Sequence, residues 1–360
     1  MSKLTYIQKR DLENIRKTSG YLEKLPDFCT DYIIAIETQT STLTRLNYAM
    51  DLSIFFDYLE RYVLKKPCME ISAKDLDALT ARNIENYLSY LSYFSKDEKL
   101  HKNSERGKAR KLASVRSFFK YLFARDIISK NVIDKVATPK LHDKAIIRLD
   151  ADEQDKLLGA IESPTAFTSR QVAYNKNTLE RDMAIVTLFL GTGIRISELV
   201  GLNIEDFDLK QNQFIVTRKG GSQAMLYFSD EVKEALLLWL KKRSTLKLEG
   251  NESAMFISLQ NKRIGVRAVE KLVKKYAEQA SPLKNISPHK LRSTFGTNLY
   301  RETKDIYIVA DVLGHKDVNT TKKHYAAISE DMRKNIKDKV KIYSNTPAEN
   351  TNNSDDFFDY

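Results

Sequence analysis

Apolar side chains recur every three or four positions through residues 41–63 (STLTRLNYAMDLSIFFDYLERYV) and 80–93 (TARNIENYLSYLSY), the spacing of one helix face. Thr80 stands where an N-cap belongs, ahead of the second run. From Lys99 to Arg125, Leu112, Val115, Phe119 and Leu122 keep the same spacing, while Arg106, Lys108, Arg110, Lys111, Arg116 and Lys120 fall largely off that stripe. This predicts a helix with a buried seam and a basic face. No alternating strand pattern intervenes, so residues 25–137 are expected to form a small all-helical domain. Thr138 to Asp150 contains Pro139 and has no sustained periodicity, which marks a linker over 138–150.

Beyond the linker the pattern is mixed. Asp150 to Ile161 and Thr178 to Leu190 are predicted helices, with the polar stretch between them (SPTAFTSRQVAYNKN) read as a loop. FIVTR (214–218) and QAMLYF (223–228) are β-prone runs flanking Lys219-Gly220-Gly221-Ser222, a hairpin signal. Ser229 is expected to cap a helix running through Leu240, and a last helix is expected from Asp331 to Val340. The tail from Asn345 to Tyr360 carries four acids and no base and is expected to be disordered. The expected fold class is therefore mainly α with a small β-hairpin or sheet (α+β). Its parts are a helical domain at 25–137, the linker at 138–150, a second domain at 151–344 and an acidic tail at 345–360. No internal repeat appears at any fixed period.

Composition narrows the function classes. A chain of 360 residues exceeds what one core usually supports, and 42% apolar residues with only 12 Gly and 7 Pro exclude wholesale disorder. The longest apolar run, Ala235 to Leu240, is far short of the roughly 20 residues that cross a bilayer. The polar N-terminus lacks a signal-peptide core, so a soluble, cytoplasmic protein with no membrane partner is expected. Cys29 and Cys68 form no CxxC pattern, so neither a disulfide framework nor a zinc site follows from them, and both are expected to be reduced and buried. The net charge is +11. Lys99 to Arg125 holds nine Lys or Arg against one acid, Glu105, which favours phosphate contact through Arg110, Lys111, Arg116 and Lys120 over a merely solvated face.

Candidate chemistry lies in the second half. His289, His315 and His324 fall within 36 residues, but their spacing is neither HxxxH nor HExxH. Lys290 and Arg292 would crowd a cation, and no cysteine is near, so no metal site is expected. Ser287-Pro288-His289-Lys290-Leu291-Arg292 opens a helix and sets His289 and Arg292 on one face, where helix N–H groups and a guanidinium suit a phosphate. Gly191-Thr192-Gly193-Ile194-Arg195-Ile196-Ser197-Glu198 sets Arg195 after a Gly-flanked turn, with Glu198 spaced to hold it from behind. Leu313-Gly314-His315 ends an apolar helix, and Tyr325 follows ten residues after His315. Each feature alone has an ordinary structural explanation, such as a capped helix or an i,i+3 ion pair.

In order along the chain, Arg195, Lys219, His289 with Arg292, His315 and Tyr325 resemble the boxes of the tyrosine recombinase (phage integrase) family. These are an arginine in a TGxRxSEL context, a hairpin lysine, HxLR, LGH and a closing tyrosine. The layout is most similar to the Xer type, particularly the single-protein XerS kind, which also has RKGG at the hairpin and PHKLR before the second arginine. The resemblance implies an N-terminal helical core-binding domain, a C-terminal catalytic domain, and a site-specific recombinase acting in chromosome-dimer resolution or mobile-element integration and excision. It implies that Tyr325 is the nucleophile, giving a 3′-phosphotyrosyl intermediate, and that Lys219 is the acid for the leaving 5′ oxygen. Arg195, Arg292 and His315 would neutralise the non-bridging oxygens, with His289 as assisting base and Glu198 in support. It implies no cofactor. The implied partners are double-stranded DNA bearing a specific site and a homo-tetramer in the synaptic complex, with accessory proteins unassigned. A nicking-closing topoisomerase of type IB shares this chemistry, and a catalytically silent DNA-binding protein could share the fold. The silent form should lack at least one of Arg195, Lys219, Arg292 or Tyr325, and none is missing.

Overall fold

In a computed structural model the chain is described over residues 4–96, 98–141, 147–163, 169–218, 221–248, 253–315 and 317–318. It separates into two compact units, residues 1–145 and 146–360. Both are mainly helical, with small antiparallel sheets.

The first unit contains α1 (Tyr6–Leu22), α2 (Asp27–Ala35), α3 (Thr42–Tyr58), α4 (Ala73–Asp77), α5 (Ala81–Tyr90), strands β1 (Tyr93–Lys96) and β2 (Lys99–Lys102), and α6 (Glu105–Ala124). Helix α1 precedes the expected start of the domain. Its seam against α3 is polar, built from Asn14, Thr42 and Asp11 hydrogen-bonded in series, so no apolar periodicity announces it. Thr80 does cap α5, in a reciprocal box with Asn83. The core is aromatic: Phe55, Phe56, Tyr87, Phe118 and Phe119 are fully buried, with edge-to-face pairs such as Phe55 on Phe119 and Phe118 on Phe119. Leu112, Val115, Phe119 and Leu122 form the buried seam of α6 that their spacing predicts.

Two features correct the sequence reading here. The unit is not all-helical, because β1 and β2 pair as a four-residue hairpin with Phe94 opposite His101. Phe94 is buried while Tyr93, Ser95 and the whole of β2 are exposed, so the alternation is too short to register. The basic helix accordingly begins at Glu105, capped by Ser104, and not at Lys99.

The second unit contains α7 (Ala151–Glu162), α8 (Ser169–Thr192), α9 (Ile196–Leu199), β3 (Phe207–Asp208), β4 (Gln213–Thr217), β5 (Gln223–Tyr227), α10 (Asp230–Arg243), α11 (Val266–Ala280), α12 (Pro288–Thr303) and α13 (Ile306–Leu313). The three strands form one antiparallel sheet in the order β3-β4-β5, with Ile215 opposite Met225. Helix α8 is central: Ala184, Ile185, Val186, Leu188 and Phe189 are all fully buried.

Residues 169–177, read as loop, are helical. Their buried polar residue, Asn175, is satisfied inside the unit. Asn175 donates to the Ile161 carbonyl and accepts from Tyr276, whose hydroxyl also reaches Asp182, while Arg181 and Thr178 hold the same carboxylate. A buried polar network of this kind is invisible to an apolar-periodicity test. Helix α11 was also not among the expected elements, although Val269, Leu272, Val273 and Tyr276 line its buried face. Cys29 is buried and Cys68 half-buried, and both are free thiols. No helix among the described residues is long and apolar enough to cross a membrane. The expected helix Asp331–Val340 and the acidic tail lie outside the described residues.

Glu153 fastens α7 to the turn after α11. It accepts from the Asp150 amide at 2.9 Å, the Ser281 hydroxyl at 2.8 Å and the Lys284 ammonium at 2.5 Å. Burial pushes its carboxyl up, but the Lys284, Asp150 and Ser281 hydrogen bonds outweigh that and hold its pKa at about 2. A carboxylate depressed from about 4.5 contributes stability that is fully present above that value and is lost as the pH falls toward about 2. Acid unfolding followed by circular dichroism should therefore show a shallower loss of stability between about pH 4.5 and 2 in Glu153→Gln than in the unmutated protein.

Candidate active site

The site forms where the turn after α8, the start of α12 and the end of α13 meet. Helix α8 stops at Thr192 because Gly193 takes φ +61°, and a side chain there would run into the Phe295 ring and lie 2.9 Å from Leu313. Arg195 follows as the N-cap of α9. Glu198, buried to 6% exposure, accepts from the Arg195 backbone amide at 2.9 Å and from Nη1 at 2.8 Å. Nη2 of Arg195 donates to the carbonyls of Leu313 (3.1 Å) and Gly314 (2.8 Å). A third of the Arg195 side chain stays exposed.

Arg292 arrives from α12, which opens with Ser287 as N-cap and Pro288 in its first turn. It is buried, and it donates from Nη1 to the Gly193 carbonyl at 2.5 Å and from Nη2 to the Leu313 carbonyl. His289 lies one turn earlier on the same helix and is exposed. Ser293 spends its hydroxyl on the His289 carbonyl. Helix α13 ends at Gly314 in the left-handed conformation, and the next residue, half-buried His315, donates its backbone amide to the Ala310 carbonyl at 2.8 Å.

The structure thus brings together Arg195, Glu198, Arg292 and the His315 turn, which lie 120 residues apart in sequence from Arg195 to His315. It adds Arg218, at the end of β4, which donates to the Val312 carbonyl at 3.2 Å and lies against Gly314. In the sequence Arg218 stands out only as the first residue of RKGG. Among the described residues, three guanidiniums and one carboxylate are therefore linked at a single helix end, an excess of positive charge suited to a phosphodiester. Lys219 and Tyr325 lie outside the described residues. Among the described residues no group of three or more His, Cys, Asp or Glu could hold a metal ion.

The proposed DNA-contacting side chains on α6 divide into two groups. Lys111 is buried, with Nζ 3.1 Å from Asn103 Oδ1 and 4.0 Å from Asp51, so its assignment to a free basic face is corrected: helical periodicity turns it toward Asp51. Arg110 grips the buried Asp51 with both Nη atoms, at 2.5 and 2.7 Å, although half of its side chain is exposed. Arg116 donates to Thr138 and to the Val136 carbonyl. Lys120 is exposed.

Comparison with known proteins defines the class. Residues 148–332 match the phage integrase family, and residues 30–126 match the phage integrase N-terminal SAM-like domain. The chain belongs to the phage integrase family. It is a tyrosine-type, site-specific DNA recombinase. Among its relatives, tyrosine recombinase XerC of Caldanaerobacter subterraneus subsp. tengcongensis is 34% identical over 318 residues, 85% of each chain. XerC of Syntrophus aciditrophicus is 30% identical, over 83% of this chain and 91% of the relative. The fold is similar to that of the XerH site-specific recombinase bound to palindromic difH substrate (TM-score 0.61, 19% identity, 82% of this chain and 80% of that one). It is equally similar to the Tn1549 transposon integrase in complex with transposon right end DNA (TM-score 0.61, 19% identity, 85% and 98%).

Among the described residues, Glu198 is the carboxylate that holds the Arg195 guanidinium. Glu198→Ala should lower DNA cleavage by about 10- to 100-fold, the usual result of misplacing a charged group by about 1 Å, while DNA binding in a gel-shift assay changes little. On α6, Lys120→Ala should reduce affinity for DNA of any sequence and make the log–log salt dependence shallower by about 0.9 for the lost phosphate contact. Lys111→Ala should instead lower the melting temperature and leave the salt slope unchanged.

Proposed function

We propose that Tyr325 attacks the scissile phosphate while Arg195 and Arg292 hold its non-bridging oxygens, and that the observation carrying this reading is their convergence on the Leu313 carbonyl beside His315. The phenolic oxygen forms a bond to phosphorus and the bond to the 5′ oxygen breaks. His289 takes the phenol proton and Lys219 supplies one to the leaving oxygen. Arg292 is held by carbonyls and Arg195 by two carbonyls and the single carboxylate of Glu198, so the pair keeps a net positive charge that is available as negative charge grows on the phosphate. His315 adds a hydrogen bond to the same oxygens. The product is a 3′-phosphotyrosyl link with a free 5′ hydroxyl. The 5′ hydroxyl of another strand reverses the step and rejoins DNA, so neither ATP nor a metal is consumed.

In this reading residues 151–344 form the catalytic domain and residues 25–137 the core-binding domain, joined by the linker at 138–150. The family matches to residues 148–332 and 30–126 support that division. The exposed Lys120 and the half-exposed Arg110 are its phosphate contacts on α6. Exchange between two duplexes needs four active sites, hence a homo-tetramer on a specific double-stranded site, acting in the cytoplasm on the nucleoid. The relatives named XerC support a Xer-type role in chromosome-dimer resolution. Mapping covalently trapped cleavage sites across the host genome separates that role from mobile-element integration: one site near the replication terminus supports the first, element ends the second.

Tyr325→Phe should keep DNA binding and lose the covalent protein–DNA adduct, because only the phenolic oxygen is removed. An adduct persisting on a denaturing gel would move the nucleophile elsewhere, with exposed Tyr307 first to be examined.

A further inference from the structure

We propose that Arg218 is a positioning residue of the strand-cleavage step, tying the β4–β5 hairpin to the turn after α13 so that the residue next to it, Lys219, delivers its proton at the leaving oxygen. The inference rests on the reading of Lys219 as the acid. Three observations on Arg218 carry it.

The first is that its backbone closes the hairpin. The Arg218 amide donates to the Ser222 carbonyl at 2.7 Å, and its carbonyl accepts from the Gly221 amide at 3.1 Å, with Gly221 at φ +85°. The second is that its side chain leaves the hairpin for the arginine site. Nη2 donates to Val312 O, one residue before the Leu313 carbonyl that Arg195 and Arg292 share. Gly314 takes φ +60°, the left-handed region that favours glycine, and its missing side chain leaves the space that the Arg218 guanidinium occupies. The third is that Nε of Arg218 is buried without an acceptor among the described residues. A buried donor without an acceptor is unfavourable for stability. Lys219 is the next residue in the chain after this anchor. Without the anchor, a two-stranded ribbon end has only its own turn to set its direction.

The test uses the full chain on two DNA substrates, one ordinary and one with sulfur replacing the bridging 5′ oxygen, which leaves without a proton. Arg218→Ala, Arg218→Lys and Lys219→Ala are compared. On ordinary DNA, Arg218→Ala should cleave about 10- to 100-fold slower with unchanged binding. On the sulfur substrate it should approach the unmutated rate, as Lys219→Ala does. Arg218→Lys, which keeps charge and a donor for Val312 but not the flat guanidinium over Gly314, should recover part of the rate on ordinary DNA. If Lys219→Ala is rescued by sulfur and Arg218→Ala is equally slow on both substrates, Arg218 acts on the phosphate or the fold, and the positioning role is wrong. If sulfur rescues neither, the acid reading of Lys219 fails, and the assignment of Arg218 falls with it.

Discussion

One carbonyl oxygen organises the catalytic unit. Leu313 ends α13, and its carbonyl, unpaired within the helix because the chain turns at Gly314, accepts from both Arg195 and Arg292. Like charges brought to one point repel, and a helix C-terminus is where their cost is smallest, since its partial negative charge and free carbonyls meet them. The Gly193, Val312 and Gly314 carbonyls and the Glu198 carboxylate are further acceptors. Carbonyl dipoles fix the arginines and leave the site positive. A set of carboxylates would have fixed them equally well and removed the charge that a phosphate needs.

That arrangement depends on close approach of elements remote in sequence. Helix α8 leads into Gly193 and Arg195 and is buried chiefly between Arg181 and Phe189, so its register determines where the first arginine falls. The network of Arg181, Asp182, Asn175 and Tyr276 sets that register against α11. Apolar packing alone tolerates sliding, whereas a buried carboxylate with several directed donors does not. At the other end of α8, Gly193 lets Phe295 and Leu313 close on the turn, which is what brings α12 and α13 to the same carbonyl.

In the N-terminal unit the same chemistry serves a different end. The buried Asp51 gathers Arg110, Ser114 and Lys111, so part of the positive charge concentrated on α6 is balanced inside the protein. The surface left to meet a polyanion is narrower than the charge count of the segment suggests.

The sequence by itself determined the order of elements around the site, the α6 seam, the β4–β5 hairpin and the set of residues that marks the family. Each of these rests on local spacing: a 3.6-residue period, a Gly-containing turn, or a short box such as PHKLR. It misread what depends on partners elsewhere in the chain. Residues 169–177 look like loop because their polar side chains give no apolar stripe, yet Asn175 finds its partners on Ile161 and Tyr276. Lys111 counts as surface charge until Asp51 and Asn103 are placed beside it. Arg218 is one basic residue among 59 until its guanidinium is seen against Gly314. Helical spacing gives the face on which a side chain stands. Which acceptor it meets there is decided only when another segment packs against that face, because a hydrogen bond is made at about 3 Å and local sequence does not specify which distant groups come that close.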